Sequence, residues 1–150
     1  NFAADYLHKA SRKVVELATK NNVNTIVIGD IAGIKQNNSN NKHFVAIPIQ
    51  RFKDLIEYKA KLEGVKVVFV NEAYTSGCSA IDEEKLNKTD YDKSRRIKRG
   101  LFKTGNKIIN SDVNGSLNIM RKYLKNGTPE MVKQIRDMGE VGTPERLRVS

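Results

Sequence analysis

The chain has 150 residues and a formal net charge of +10, from 27 Lys and Arg against 17 Asp and Glu. That length allows one domain with a real core, and that charge favours a nucleic-acid partner over an acidic metabolite. A single cysteine, Cys78, excludes a disulfide framework and a cysteine-rich zinc site within the chain, and no apolar run approaches membrane-spanning length. The first residue is Asn1 rather than Met and no signal peptide is visible, so a piece of a longer, cytoplasmic protein with no membrane partner is expected.

Residues 2–21 place Leu7, Ala10, Val14, Leu17 and Ala18 on one stripe with charges opposite, which predicts an amphipathic helix. Thr25-Ile26-Val27-Ile28, closed by Gly29, predicts a buried strand. Residues 30–46 are rich in Asn, Lys and Gly and read as a loop. Pro48 suits the first turn of a second helix. Its buried face would be Ile49, Phe52, Leu55, Ile56, Lys59 and Ala60, and Gly64 would end it. Residues 65–70 predict a second strand. Helix–strand–helix–strand is the order of a parallel α/β sheet.

Residues 77–94 are polar and poorly patterned. Residues 96–103 and 106–110 read as a short hairpin around Gly105-Asn106. Asp112 or Ser111 would cap a third helix running to about residue 125, and Asn126-Gly127-Thr128-Pro129 would stop it. Beyond it a short helix and an extended end are expected.

Two carboxylates stand out in this arrangement. Glu72 closes the second strand and Asp112 opens the third helix. Acidic residues at a strand end and a helix start are what a divalent-metal site for phosphodiester chemistry needs. The plain alternatives are a surface residue for Glu72 and an N-cap for Asp112. Asn114 and Asn118, four residues apart, share a helix face. They would contact substrate phosphate or orient a ligand, or else cap and pack. The run from Lys93 carries Arg95, Arg96, Lys98, Arg99 and Lys103 with Leu101 and Phe102 interleaved. It reads as a half-buried hairpin whose outer face meets a nucleic-acid backbone. Lys35 and Gln36 are weaker candidates for the same role. His8 is expected to pack or to touch phosphate, Asp30 to lie in a loop, and Cys78 to be a small buried side chain.

Leu7-His8-Lys9-Ala10-Ser11, Val27-Ile28-Gly29-Asp30, Tyr58-Lys59-Ala60, Tyr74-Thr75-Ser76 and Asp112-Val113-Asn114-Gly115-Ser116-Leu117-Asn118-Ile119 stand in a fixed order across residues 1–125. In that order the chain resembles the C-terminal half of TnpB-type proteins. These are transposon-encoded, RNA-guided nucleases with a RuvC-like domain, related to type V CRISPR effectors. The resemblance implies an α/β, RNase H-like (RuvC-type) fold, C-terminal portion, with a basic hairpin insertion. Residues 1–125 would belong to the nuclease domain, with 77–110 in place of a zinc ribbon, and 126–150 would be a tail. It further implies three carboxylates holding two Mg²⁺ (or Mn²⁺), with DNA and guide RNA as partners, in the cytoplasm of a prokaryotic cell.

The chain departs from the family pattern in three ways. No strand carrying the first aspartate is present, so the fragment alone should be inactive, and its open sheet edge favours self-association. Gly29 stands where the family has a glutamate at the end of the first strand. If the two strands are parallel neighbours, roughly 5 Å apart, a side chain rising from Glu72 would occupy the space left at Gly29, and ligands bind at that end of such strands. Of the zinc-ribbon cysteines only Cys78 remains, so no structural zinc is expected. The implied function is a Mg²⁺-dependent, RNA-guided DNA endonuclease with Glu72 and Asp112 as metal ligands. The alternative is an inactive nucleic-acid-binding module or a truncated remnant.

Overall fold

A computed structural model describes residues 2–30, 48–124 and 148. The chain divides into two compact units, one taking residues 2–28 and 48–69, the other residues 29–30 and 70–124 of the described chain. The expected loop at 30–46, with Lys35, Gln36 and His43, falls outside the described residues apart from Asp30, and so does the expected tail.

The first unit holds two helices and two strands up to residues 28 and 69, the last two residues of each strand falling in the second unit. α1 (Phe2–Lys20) and α2 (Ile49–Leu62) alternate with β1 (Thr25–Asp30) and β2 (Lys66–Asn71). Lys66 N donates to Asn24 O and Glu72 N to Asp30 O, so both strands advance together and the pair is parallel. The core is Val15, Ala18, Ile56, Ala60 and Val65, with Val14, Ile26, Ile28, Phe52 and Val67 packed on it. The buried face of α1 is Leu7, Ser11, Val15 and Ala18, rotated from the expected stripe. A count of apolar positions misses Ser11. Its hydroxyl donates to His8 O (3.0 Å) and accepts from Lys59 Nζ (2.7 Å), so it is buried with both partners supplied. His8 is exposed rather than packed. In α2, Leu55, Ile56 and Ala60 are buried as expected, but Ile49 is 53% exposed because it sits in the first turn, off the packed face. Gly64 ends the helix at φ +71, a left-handed conformation that glycine adopts without a Cβ penalty. β1 runs through Gly29 to Asp30, two residues past the expected end, so Asp30 is a strand residue rather than a loop residue.

The second unit is built from the hairpin and α3. β3 (Leu101–Thr104) pairs antiparallel with β4 (Lys107–Asn110), Leu101 opposite Asn110 and Thr104 opposite Lys107. The two-residue turn has Gly105 at φ +56. Phe102 and Ile109 point inward onto Ile81, with Val113 against them, while Lys103 and Lys107 point out. α3 (Ser111–Tyr123) follows β4 directly. Its N-cap is Asn110, whose side-chain oxygen accepts from Asp112 N (2.9 Å) and Val113 N (3.0 Å). The expectation that Asp112 or Ser111 caps the helix is corrected: the asparagine one step earlier does so, and Asp112 keeps its carboxylate for other work.

The polar stretch 77–94 is not a featureless insertion. Cys78, Ser79, Ala80 and Ile81 are buried, and a single 3₁₀ turn at Lys93–Arg95 closes it, capped by the Asp92 side chain. No helix among the described residues is long and apolar enough to cross a membrane.

Candidate functional site

The carboxyl ends of β1 and β2 and the start of α3 meet in the second unit. Glu72 follows β2, and its backbone is tied there by Glu72 N to Asp30 O at 3.1 Å. Thr75 turns the chain back, its N–H and hydroxyl both donating to Glu72 O. A Cβ built on Gly29 would lie 2.7 Å from Glu72 Oε2, 3.1 Å from Glu72 Cβ and 2.6 Å from Ile119 Cδ1. The Glu72 side chain therefore stands in the volume that any residue larger than glycine at position 29 would need.

Glu72 and Asp112 line one cleft of about 440 Å³. Thr75, Ser76, Gly115, Ser116 and Ile119 form its walls, and Arg96 brings a guanidinium to the same space. Asp112 is exposed and sits in the first turn of α3, where the helix dipole favours a negative charge. Ser111 also lines the cleft, and its buried hydroxyl has no hydrogen-bond partner among the described residues. The last turn of α3 supplies Lys122, whose Nζ donates to Asn71 O at 2.8 Å and whose pKa burial lowers.

Of the two roles open to the asparagines, the structure shows the packing one. Asn114 and Asn118 are fully buried. Asn114 accepts from Ala80 N (2.9 Å) and donates to Cys78 O (2.9 Å). Asn118 donates to Thr75 O (2.9 Å) and Cys78 O (2.8 Å) and accepts from Arg121 Nη1 (2.8 Å). Their amides pin the 75–81 segment to α3 and leave no surface for a phosphate, which corrects the nucleic-acid role. Arg121, 2% exposed, extends this polar stripe and donates to Glu84 O. The signal was in the sequence: positions 114, 118 and 121 share one helix face that would otherwise read as apolar core.

Arg95 is likewise diverted from nucleic acid. It forms a two-pronged pair with Glu84, each arm 2.7 Å long, donates to Gly77 O and Asp90 O, and lies 5.1 Å over the Phe102 ring. Those partners hold both of its Nη groups inside the fold, while Nε is buried with no hydrogen-bond partner among the described residues. The Arg95 hydrogen bond holds the Glu84 carboxyl below its ordinary value, against the opposing effect of burial. Arg96, Lys98, Arg99 and Lys103 are exposed, as a nucleic-acid face requires. Cys78 is fully buried, and burial raises its thiol pKa.

The fold of the chain resembles that of Cas12f1 in a cryo-EM Cas12f1–sgRNA–target DNA complex, with a TM-score of 0.59 at 22% identity over 79% of this chain and 33% of that one. A family model described as Cas12f1-like, TNB domain, matches residues 50–119. A CRISPR-associated endodeoxyribonuclease Cas12f2 from a Micrarchaeota archaeon is 32% identical over 133 residues, 79% of this chain. A TnpB-like protein from Methanocaldococcus jannaschii is 30% identical over 147 residues, 95% of this chain. These likenesses support a TnpB/Cas12-type fragment. It spans 23% of the length of the Cas12f2 protein and 46% of that of the TnpB-like protein. The Cas12f1-like match at 50–119 contains both Glu72 and Asp112 and the whole buried segment between them.

Proposed function

We propose that this chain is the C-terminal portion of an RNase H-like (RuvC-type) nuclease domain, and that the intact protein is a transposon-encoded, RNA-guided, Mg²⁺-dependent DNA endonuclease. Residues 1–125 would belong to that domain, with 77–110 as a basic insertion and 126–150 as a tail. One observation carries the reading: Glu72 fills the volume beside Gly29 and shares a cleft with Asp112. The names of the two relatives, an endodeoxyribonuclease and a TnpB-like protein, support it, as does the sgRNA and target DNA held by the structural neighbour.

Hard divalent cations take carboxylate and hydroxyl oxygens. Glu72 and Asp112 are donors of that kind on one cleft, so the residues suit Mg²⁺ or Mn²⁺. No group of three His, Cys, Asp or Glu stands together among the described residues. Glu72 and Asp112 are thus read as two members of a larger ligand set. When bound, such an ion supplies Lewis-acid polarisation of a phosphoryl oxygen and an activated water. The chain's own part is separate from that. Arg96 would hold a phosphate oxygen by charge-assisted hydrogen bonds, Ser76 and Ser116 would orient the backbone, and Ile119 would keep water from one wall.

The test is cleavage of target DNA by the intact protein with its guide RNA and Mg²⁺. Glu72→Gln and Asp112→Asn should each lower the cleavage rate roughly 100-fold or more, the range for lost electrostatic stabilisation, with guide-directed binding retained. Undiminished cleavage in either variant would overturn the assignment. Guide-directed binding by a wild-type protein that does not cleave would favour the second reading, an inactive nucleic-acid-binding module.

A further inference from the structure

Tyr74 is an aromatic residue in a conformation that aromatic residues seldom adopt. Its φ is +65, and the residue is 39% exposed. A bulky side chain in the left-handed region is strained, and such strain persists only where the surroundings enforce it. Here they do. Ala73 N donates to the Asn71 side chain at 2.8 Å, Thr75 N and Oγ1 donate to Glu72 O, and Asn118 donates to Thr75 O. The backbone is held on both sides of Tyr74, so the ring is presented rather than free to fold away.

Tyr91 supports that ring. The two centroids are 5.8 Å apart at 72°, an edge-to-face contact. Tyr91 is itself clamped: Asp90 O accepts from Arg95, Asp92 N donates to Gly77 O, and a Cβ on Gly77 would lie 2.5 Å from the Tyr91 ring. A scattered exposed tyrosine needs no explanation. A strained, edge-supported one, two residues from Glu72 and next to the cleft residue Thr75, does.

We propose that Tyr74 is a stacking platform for one unpaired nucleobase of a single-stranded substrate, next to the phosphate held in the Glu72–Asp112 cleft. Every base has a π-face, so the platform would select single strands over duplex without reading sequence. The proposal rests on the cleft being a nucleic-acid site and adds a residue that positions the base beside it.

The experiment measures binding of a single-stranded DNA oligonucleotide to the 150-residue chain by fluorescence anisotropy, across a salt series. Tyr74→Leu removes the π-face. Tyr74→Gly removes the ring and relieves the strained φ, so it controls for a folding defect. Both should weaken binding about tenfold, within the span of one lost base stack, and leave the salt slope unchanged. Tyr74→Phe keeps the ring and should bind like wild type. An oligonucleotide with abasic positions should bind wild type as weakly as Tyr74→Leu binds the intact strand. Unchanged affinity in Tyr74→Leu and Tyr74→Gly overturns the platform, and so does equal loss in Tyr74→Phe, which would assign the effect to the hydroxyl. Retained cleavage by Glu72→Gln or Asp112→Asn in the intact protein strikes the cleft reading instead, so the two failures are distinguishable.

Discussion

Gly29 and Glu72 are coupled through space that only one side chain can occupy. The nearest atoms to a Cβ at position 29 are the ends of two side chains, Glu72 and Ile119, so both must give way when alanine is introduced. Overpacking of that size costs typically about 1–3 kcal/mol, and flexible chain ends put it at the low side. The larger consequence is for the carboxylate, which has to leave its place. Gly29→Ala should therefore lower the urea midpoint only slightly while reducing cleavage by the intact protein far more. Wild-type cleavage with the alanine in place would separate Glu72's position from activity. The asparagines teach the opposite lesson. Asn114 and Asn118 resemble ligand-facing residues by spacing alone, yet their hydrogen bonds go to backbone carbonyls, a backbone amide and Arg121. Spacing on a helix says which residues share a face but not what covers it.

The segment from Thr75 to Arg95 is held by polar contacts more than by apolar ones. Glu84 is its hub: one carboxylate takes both arms of Arg95 and the Ser79 N–H, the latter at 2.6 Å. Ser79, Asp82 and Thr104 form a second knot, the Thr104 hydroxyl bonding both of the others. Because Arg95 lowers the folded-state pKa of Glu84, this carboxylate contributes stability above its unfolded value. That contribution is lost as pH falls through the lowered folded value. The gap in urea midpoint between wild type and Glu84→Gln, open at pH 7, should thus close as the pH drops below about 4, near the ordinary glutamate range. A gap that stays constant down to that pH would mean Arg95 does not tune this group. The β3–β4 hairpin was readable in outline, since Gly105-Asn106 between alternating residues is a strong local signal. Its first strand is shorter than expected, starting at Leu101, because residues 93–95 turn as 3₁₀ and Arg95 is drawn inward.

For the molecule as a whole, charge is the dominant surface property at +10. The basic run divides by burial: Arg95 belongs to the interior, while Arg96, Lys98 and Arg99 remain outside. Replacing those three by Ala should weaken binding to duplex DNA of every sequence. It should also flatten the plot of log affinity against log salt by about 0.9 per lost phosphate contact. Arg95→Ala should instead lower stability, by about 2 kcal/mol for charge-assisted hydrogen bonds partly sheltered from water, with the salt slope intact. A slope unchanged by the triple substitution would return the run to a solvated face.

The order of helices and strands was determined by the sequence alone, because apolar periodicity and glycine or proline punctuation are local properties of the chain. So was the presence of a carboxylate after β2 and another at the start of α3, since motif and position along the chain place both. The tertiary structure decided which polar side chains face inward. Ser11, Asn114, Asn118 and Arg121 are buried because partners distant in sequence satisfy them, and no local pattern records a partner 34 to 48 residues away. It also decided that Asn110 caps α3, and that Glu72 rather than a residue at position 29 fills the end of β1. Side-chain volumes compete only after the strands are side by side. That competition, like the burial of a charge against its opposite, is settled by packing and not by composition.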